Sequence, residues 1–283
     1  MNIATTALSA LPRFWADLKT TDFARLDRAR GIAVLPVAAI EQHGPHLPLN
    51  VDTTLVDGVI KAALPHLQAD LPVLFLPTQS IGFSTEHTRF AGTLTLKAET
   101  VIRLWTELAE SVAATGVKKL VLLNAHGGNV GLLDVVARDL RTRLGMLVYS
   151  VNSFNLPLVD ERGDSVAAKF SAHGHRFGIH AGEIETSMML ALQPDQVDMA
   201  KAQNFHSTSQ DRSERFSILG DGRSAKLGWQ MQDYNPHGAV GNAAAATAEK
   251  GHALLGAMGR SLAQLLAEMD QLPADTLRDC TAL

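Results

Sequence analysis

Cysteine occurs once in this 283-residue chain, at Cys280, so no intrachain disulfide can form and a small secreted scaffold held by disulfides is excluded. A dominant charge is lacking too: 25 Lys and Arg stand against 29 Asp and Glu, for a net charge of −4. So weak an acidity offers no electrostatic footprint for a nucleic acid or an anionic membrane, and a small molecule is the expected partner. Nowhere does an apolar run reach the roughly 18 residues that a membrane-spanning helix needs. The opening stretch, MNIATTALSALPRFWADLKT, lacks the basic start and continuous apolar core of an export signal. The expected compartment is the cytoplasm.

The chain does carry enough apolar matter for a folded core, with 46% hydrophobic against 19% charged residues. No segment of linker composition and no repeat divides it, so residues 1–283 are expected to form a single domain. Short apolar runs alternate with stretches of helical period. The runs at 31–40 (GIAVLPVAAI), 72–81 (PVLFLPTQSI), 118–125 (KKLVLLNA) and 146–152 (MLVYSVN) are rich in Val, Leu and Ile, as strands buried on both faces are. Between them, 53–64 puts Leu55, Val56, Val59, Ile60 and Ala63 on one side before Pro65. The stretch 97–115 does the same with Val101, Leu104, Trp105, Leu108 and Val112 before Gly116, and 130–144 with Leu133, Val136, Ala137 and Leu140 before Gly145. The order β-α-β-α-β-α-β predicts an α/β protein with a parallel sheet. A polar irregular region follows at 155–180, then a helix from near Gly182, a second irregular stretch at 206–241, and an alanine-rich segment at 242–269 that predicts a long closing helix.

Polar residues gather where these strands end. EQHGPHLPLNVDT (41–53) follows the first run directly. With strand conformation continued, Glu41 and His43, two residues apart, leave one face and converge, in a loop that Pro45 and Pro48 stiffen; this is metal-ligand geometry. Asp52 precedes the next helical stretch, either as its N-cap or as a carboxylate that reaches a cation or bridges a pair. His46 is open between lining a pocket, ligating, and a stacking or hydrogen-bonding role. NAHGGN (124–129) joins a strand to a helix at the carboxyl end of a parallel strand, where open α/β sheets place ligands. There His126 faces the crevice of Glu41 and His43, and Gly127 and Gly128 let the backbone approach an ion or substrate closely. The motif has neither the GxGxxG spacing nor the lysine of a phosphate loop. HAGEIETS (180–187) is a loop histidine leading into a helix. Its Glu183 and Glu185 diverge, so one of them faces a given site; the plainer reading of each is a first-turn glutamate beside the helix dipole. Ser84, Glu86 and His87, in GFSTEH, again follow a strand end, and for His173 and His175 a surface or structural role is expected.

EQHGPHLPLNVDT, GFSTEHTRFAGT, NAHGGN, HAGEIETS and GAVGNAAAATAEKG, in that order along most of the chain, resemble the creatininase family, the creatinine amidohydrolases. The resemblance implies a three-layer α/β/α sandwich with a mostly parallel central sheet, two divalent metal ions, and hydrolysis of a C–N bond in a cyclic or linear amide. It sets metal ligands at Glu41, His43, Asp52 and His126, with Asp52 bridging, and makes His180 the proton-transferring histidine. Ser84, Glu86 and His87 fall in a substrate-contacting segment, with Ser84 and Glu86 as its pocket candidates, beside the substrate-side candidates Gly127 and Gly128. Creatinine hydrolysers have a further glutamate ligand where this chain has Gly128, and the likeness to relatives with a glycine pair there assigns Glu185 as its replacement. Creatinine hydrolysers also close their pocket with tryptophans in the region of 150–180, whereas the tryptophans here are Trp15, Trp105 and Trp229; no aromatic lid of that kind is expected. The family includes deformylases of ring-opened purine or formamidopyrimidine compounds and a peptidase that trims a cofactor-precursor peptide. Its members form symmetric hexamers, so a homo-oligomer is expected.

The ligand set suits zinc, manganese or iron. Such ions would acidify a water for attack on the amide carbon, and His180 would carry the proton to the leaving nitrogen. Two readings of other classes compete. One is a non-catalytic metal or small-molecule binding protein that kept the fold without the carboxylate at Gly128. The other, a nucleotide-binding Rossmann protein, requires a glycine fingerprint after the first strand, where this chain has EQHGPH.

Overall fold

The apolar run at 31–40 yields a strand buried at every position, β1 (Ile32–Val37), in a computed structural model that describes residues 11–278. Cys280 and the start of the N-terminal stretch lie outside the described residues. In chain order there follow α1 (Val51–Ala63), β2 (Val73–Phe75), α2 (Ala98–Ala114), β3 (Lys119–Asn124), α3 (Val130–Leu144), β4 (Leu147–Asn152), α4 (Ala172–Phe177) and α5 (Glu183–Leu192). Then come β5 (Asn204–Phe205), α6 (Thr208–Arg215), α7 (Met231–Tyr234), β6 (Gly241–Asn242) and α8 (Ala248–Asp270). β1 to β4 form one parallel sheet in the order β2-β1-β3-β4, while β5 and β6 pair antiparallel on their own.

Alternation along the strands sorts the helices into layers. Ile32 and Val34 of β1, with Val121 and Leu123 of β3, pack against α1, α5 and α8. Ala33, Leu35 and Val37, with Leu120 and Leu122, pack against α2 and α3 around the fully buried Trp105. The result is the expected three-layer α/β/α sandwich. Val37 pairs with Asn124 and Asn124 with Asn152, so β1, β3 and β4 end level and their loops leave at one rim. The strand order turns between β1 and β3, which makes their carboxyl ends the crevice of the sheet.

Three expectations shift in register. The run at 72–81 gives only β2, because the amides of Leu76 and Gln79 bond the carbonyls of Val34 and Pro36 with Pro77 and Thr78 bulged out between them; proline has no N–H to give the ladder. α1 starts at Val51 with Asn50 at the N-cap position, so Asp52 lies inside the first turn and caps nothing. α8 starts at Ala248 because Thr247 caps it, its Oγ1 accepting the Lys250 amide at 3.2 Å. α8 lies so close to α5 that a Cβ on Gly251 would collide with the Ser187 carbonyl, and this contact holds the α5 first turn over the rim.

Candidate metal centre

Five side chains from four places meet at the crevice. Glu41 and His43 stand on the irregular segment beyond β1, not on a continued strand; Asp52 is in the first turn of α1, His126 on the turn after β3, and Glu185 in the first turn of α5. Backbone carbonyls fix which nitrogen each histidine offers. His43 donates from Nδ1 to the Glu41 carbonyl at 3.0 Å, which turns the lone pair of Nε2 inward. His126 donates from Nε2 to the Phe83 carbonyl at 2.9 Å, which turns Nδ1 inward. Such outer bonds set the tautomer and orientation of a metal-ligating histidine.

The inward nitrogens face carboxylates at ligand spacing. His126 Nδ1 is 3.2 Å from Asp52 Oδ2 and 3.3 Å from Glu41 Oε1. His43 Nε2 is 3.4 Å from Asp52 Oδ1 and 3.9 Å from Glu185 Oε2. Ligands held about 2.0–2.1 Å from one tetrahedral ion are about 3.3 Å apart. Two groups of three therefore share Asp52, one with Glu41 and His126 and the other with His43 and Glu185. Within them His43 Nε2 and Asp52 Oδ2 are buried without a hydrogen-bond partner, a cost of roughly 1–3 kcal/mol per group that a cation between them would offset. The mixed nitrogen and oxygen donors fit zinc or manganese.

Electrostatics point the same way. Burial opposes charge on His43 and His126, yet the adjacent carboxylates raise His43 to about 9 and His126 well above its ordinary value. Burial likewise opposes charge on Glu41 and Asp52, yet the imidazoles hold both below the usual carboxylate range. Glu185 rises to about 7, chiefly through burial. The cluster attracts positive charge, which protons supply in the absence of an ion.

His180 sits beside this cluster at 6% exposure, its ring 4.2 Å from that of His43 and 4.3 Å from that of His87. Its Nε2–H donates to the Gln42 carbonyl at 2.8 Å, leaving Nδ1 as the free base 3.7 Å from Glu41 Oε1. Burial and the neighbouring imidazoles hold its pKa well below the ordinary value, so the ring is neutral. The next residue, Ala181, is the one non-glycine among the described residues with positive φ, at 52°, and its amide donates to Glu185 Oε2 at 2.5 Å.

The remaining candidates divide. Glu86, Gly127 and Gly128 line the cavity over the cluster. A Cβ on Gly128 would collide with Glu86 Oε1, so the space beside Gly128 belongs to the Glu86 carboxylate, while Glu185 reaches the cluster from α5. Ser84 does not line the cavity: it is fully buried and donates its hydroxyl to Glu41, so it orients a carboxylate. His46 is buried behind the site, bonded to Thr186 Oγ1 at 2.9 Å and stacked on Phe205. Glu183 points away to Lys250. His173 bonds Gln210 at the surface; His175 bonds the Ala167 carbonyl and stands on the cavity wall.

Sequence reasoning gave no role to Gln42 and placed His87 only within a substrate-contacting segment. The Gln42 amide donates to His87 Nδ1 at 2.7 Å and to the Gly238 carbonyl at 2.9 Å, which aims the His87 Nε2–H toward Glu41 Oε1 at 3.5 Å. Its place between two ligand candidates in EQHGPH was the available signal. Trp229 adds to the reading of the aromatic residues: it lines the cavity and stands edge-on to His87, with ring centroids 6.1 Å apart. An aromatic wall is thus present, though brought from 206–241, and Phe154 stands on the same cavity.

A family model described as creatininase, creatinine amidohydrolase, matches residues 16–266. The mycofactocin precursor peptide peptidase of Mycobacterium tuberculosis is 36% identical over 170 residues, 58% of this chain and 59% of that protein. The match thus spans about three-fifths of that relative's length. The creatinine amidohydrolase of Pseudomonas putida is 29% identical over 191 residues, 62% of this chain and 70% of that protein. A crystal structure of creatinine amidohydrolase matches with a TM-score of 0.73 at 24% identity, over 92% of this chain and 99% of that one. A structure described as creatininase Mn matches with a TM-score of 0.73 at 24% identity, over 93% of this chain and all of the other. The likeness to these structures is one of fold.

Proposed function

This chain belongs to the creatininase family, and from that premise we propose that it is a metal-dependent amidohydrolase that cleaves the C–N bond of a cyclic or linear amide with an activated water. The observation that carries the proposal is the pair of three-ligand groups sharing Asp52. We assign Glu41, Asp52 and His126 to one cation and His43, Asp52 and Glu185 to the other. Two divalent ions, zinc, manganese or iron, would lower the pKa of a water and polarise the scissile carbonyl.

The chain's own residues do the rest. His180, held neutral with Nδ1 free, takes a proton at that atom and returns it to the leaving nitrogen. The Gln42 carbonyl fixes its tautomer, and Ser84 and His87 hold the Glu41 carboxylate in place. Trp229 and Phe154 give the cavity an aromatic wall. A second reading, peptidase action on a linear peptide amide, is favoured by the 36% identical relative, which is named a precursor peptide peptidase. We further propose one domain over residues 1–283 and a homo-oligomer, supported by Ile218 and Leu219 at 64% and 63% exposure. With one cysteine, the cytoplasm is the proposed compartment.

Elemental analysis of protein purified without chelator, with a panel of creatinine, formamidopyrimidines, N-formyl compounds and short peptides, tests the class. His180→Ala should lower turnover by about 10²–10⁴-fold with bound metal unchanged. Wild-type turnover in that variant would remove His180 from the reaction.

A further inference from the structure

The cavity over the cluster has a volume of about 370 Å³, within the range of about 300–1,000 Å³ that takes whole small-molecule ligands. Its wall is polar beside the cluster and apolar elsewhere. At the mouth, Phe154 and Ile179 are 46% and 51% exposed, whereas Leu55, Met188 and Met258, also on the wall, are 6%, 3% and 3% exposed. Leu55, Met188 and Met258, with Ile184, are therefore the apolar part of the wall that α1, α5 and α8 supply, an apolar recess beside the cluster. That recess continues from the ligands: Leu55 is one turn beyond Asp52 on α1, Met188 one turn beyond Glu185 on α5 and one turn from Ile184, and Met258 comes from α8, which packs on both helices. Among the described residues no lysine or arginine lines the cavity, while Glu41, Asp52, Glu86 and Glu185 do.

We propose that this recess is a specificity subsite for an uncharged aliphatic or aromatic group attached beside the scissile amide, with Leu55, Ile184, Met188 and Met258 as its determinants. The proposal rests on the amidohydrolase reading. An acidic group entering it would meet carboxylates and no cation of the chain, and a charged group of either sign would lose its hydration against methionine and leucine side chains. Two unbranched thioethers make the wall adaptable in shape, so the subsite selects by apolarity and length more than by outline.

Straight-chain alkyl hydroxamates test this, because the hydroxamate head anchors on a divalent ion and the tail samples the recess. By calorimetry on manganese-loaded protein, the Kd should fall roughly fourfold per added methylene from acetohydroxamate upward and then level off. A terminal carboxylate or ammonium on the tail should cancel the gain. Leu55→Phe should bring the plateau to a shorter chain and Met258→Ala move it to a longer one, so the proposal does not depend on one variant folding. A Kd independent of chain length, with acetohydroxamate still bound, would overturn the subsite and leave the metal reading standing. Failure to take up both manganese and acetohydroxamate would overturn the two together.

Discussion

On one side of the sheet, α2 and α3 bury Val101, Trp105, Leu133 and Val136 and turn outward the ion pairs Arg103–Glu107, Arg138–Asp134 and Arg143–Asp139, each spaced i,i+4. On the other, α1 and α5 bring Asp52 and Glu185 inward, and α8 gives up a side chain at Gly251 to seat α5. The first layer follows helical periodicity throughout, whereas the second departs from it where its helices begin, at the rim. Local rules are obeyed where a helix has only to cover the sheet and broken where a charge must be held against burial.

Four perturbations test this contrast. The largest effect is expected from Asp52→Asn, which removes the carboxylate common to both groups and proposed to bridge the ions. Several kcal/mol of activation by the ions would be lost, so turnover should fall on the order of a thousandfold or more, with bound metal lost as well. After chelation the variant should melt lower than chelated wild type at neutral pH, because His43 and His126 lose the carboxylate that holds their charge, and a variant that kept metal and turnover would undo the site assignment. Next, Leu122→Ala, on the α2 and α3 side, should cost about 2–5 kcal/mol in denaturant titration while kcat of the folded protein stays unchanged.

A smaller effect should follow pH. In chelated protein His43, raised to about 9, contributes stability that is present below its unfolded value of 6.5 and lost as pH climbs through about 9. Glu185, raised from 4.5 to about 7, acts in the same sense at lower pH. Melting temperature should therefore decline from pH 6.5 to 9 in chelated protein, and manganese should remove the decline, since a cation replaces the proton. A flat profile in chelated protein would contradict this. The smallest effect is expected from Arg138→Ala, where an exposed pair is lost: thermal melts should move by less than about 2 °C, with activity intact.

Much of this contrast was legible in the sequence. The strands β1, β3 and β4 and the helices α1 to α3 were readable because periodicity and their stops agree, as in the stretch 130–144 closed by Gly145. The gathering of Glu41, His43, Asp52 and His126 was readable because each follows or faces the end of a strand. Less was readable where a single residue shifts register, as with Pro77 in β2 or the early start of α1 that moved Asp52 from cap to interior. Long-range closure was not readable at all. Trp229 reaches His87 only because 206–241 folds back over the rim, with Gln230 bonding the Thr85 carbonyl at 3.2 Å across 145 positions. Ser84 looked like a pocket residue because a strand end precedes it and its segment resembles a substrate-contacting one; which way its hydroxyl turns depends on Glu41, far away in sequence.

The left-handed peptide at Ala181 links His180, the proposed proton carrier, to a carboxylate of the cluster. An alanine in that conformation costs roughly 1–2 kcal/mol, which a glycine would not incur. Heat tolerance and the order of the proposed site therefore pull in opposite directions at this one position. A sturdier descendant with glycine there would hold its shape to higher temperature and hold His180 and Glu185 less firmly to one another.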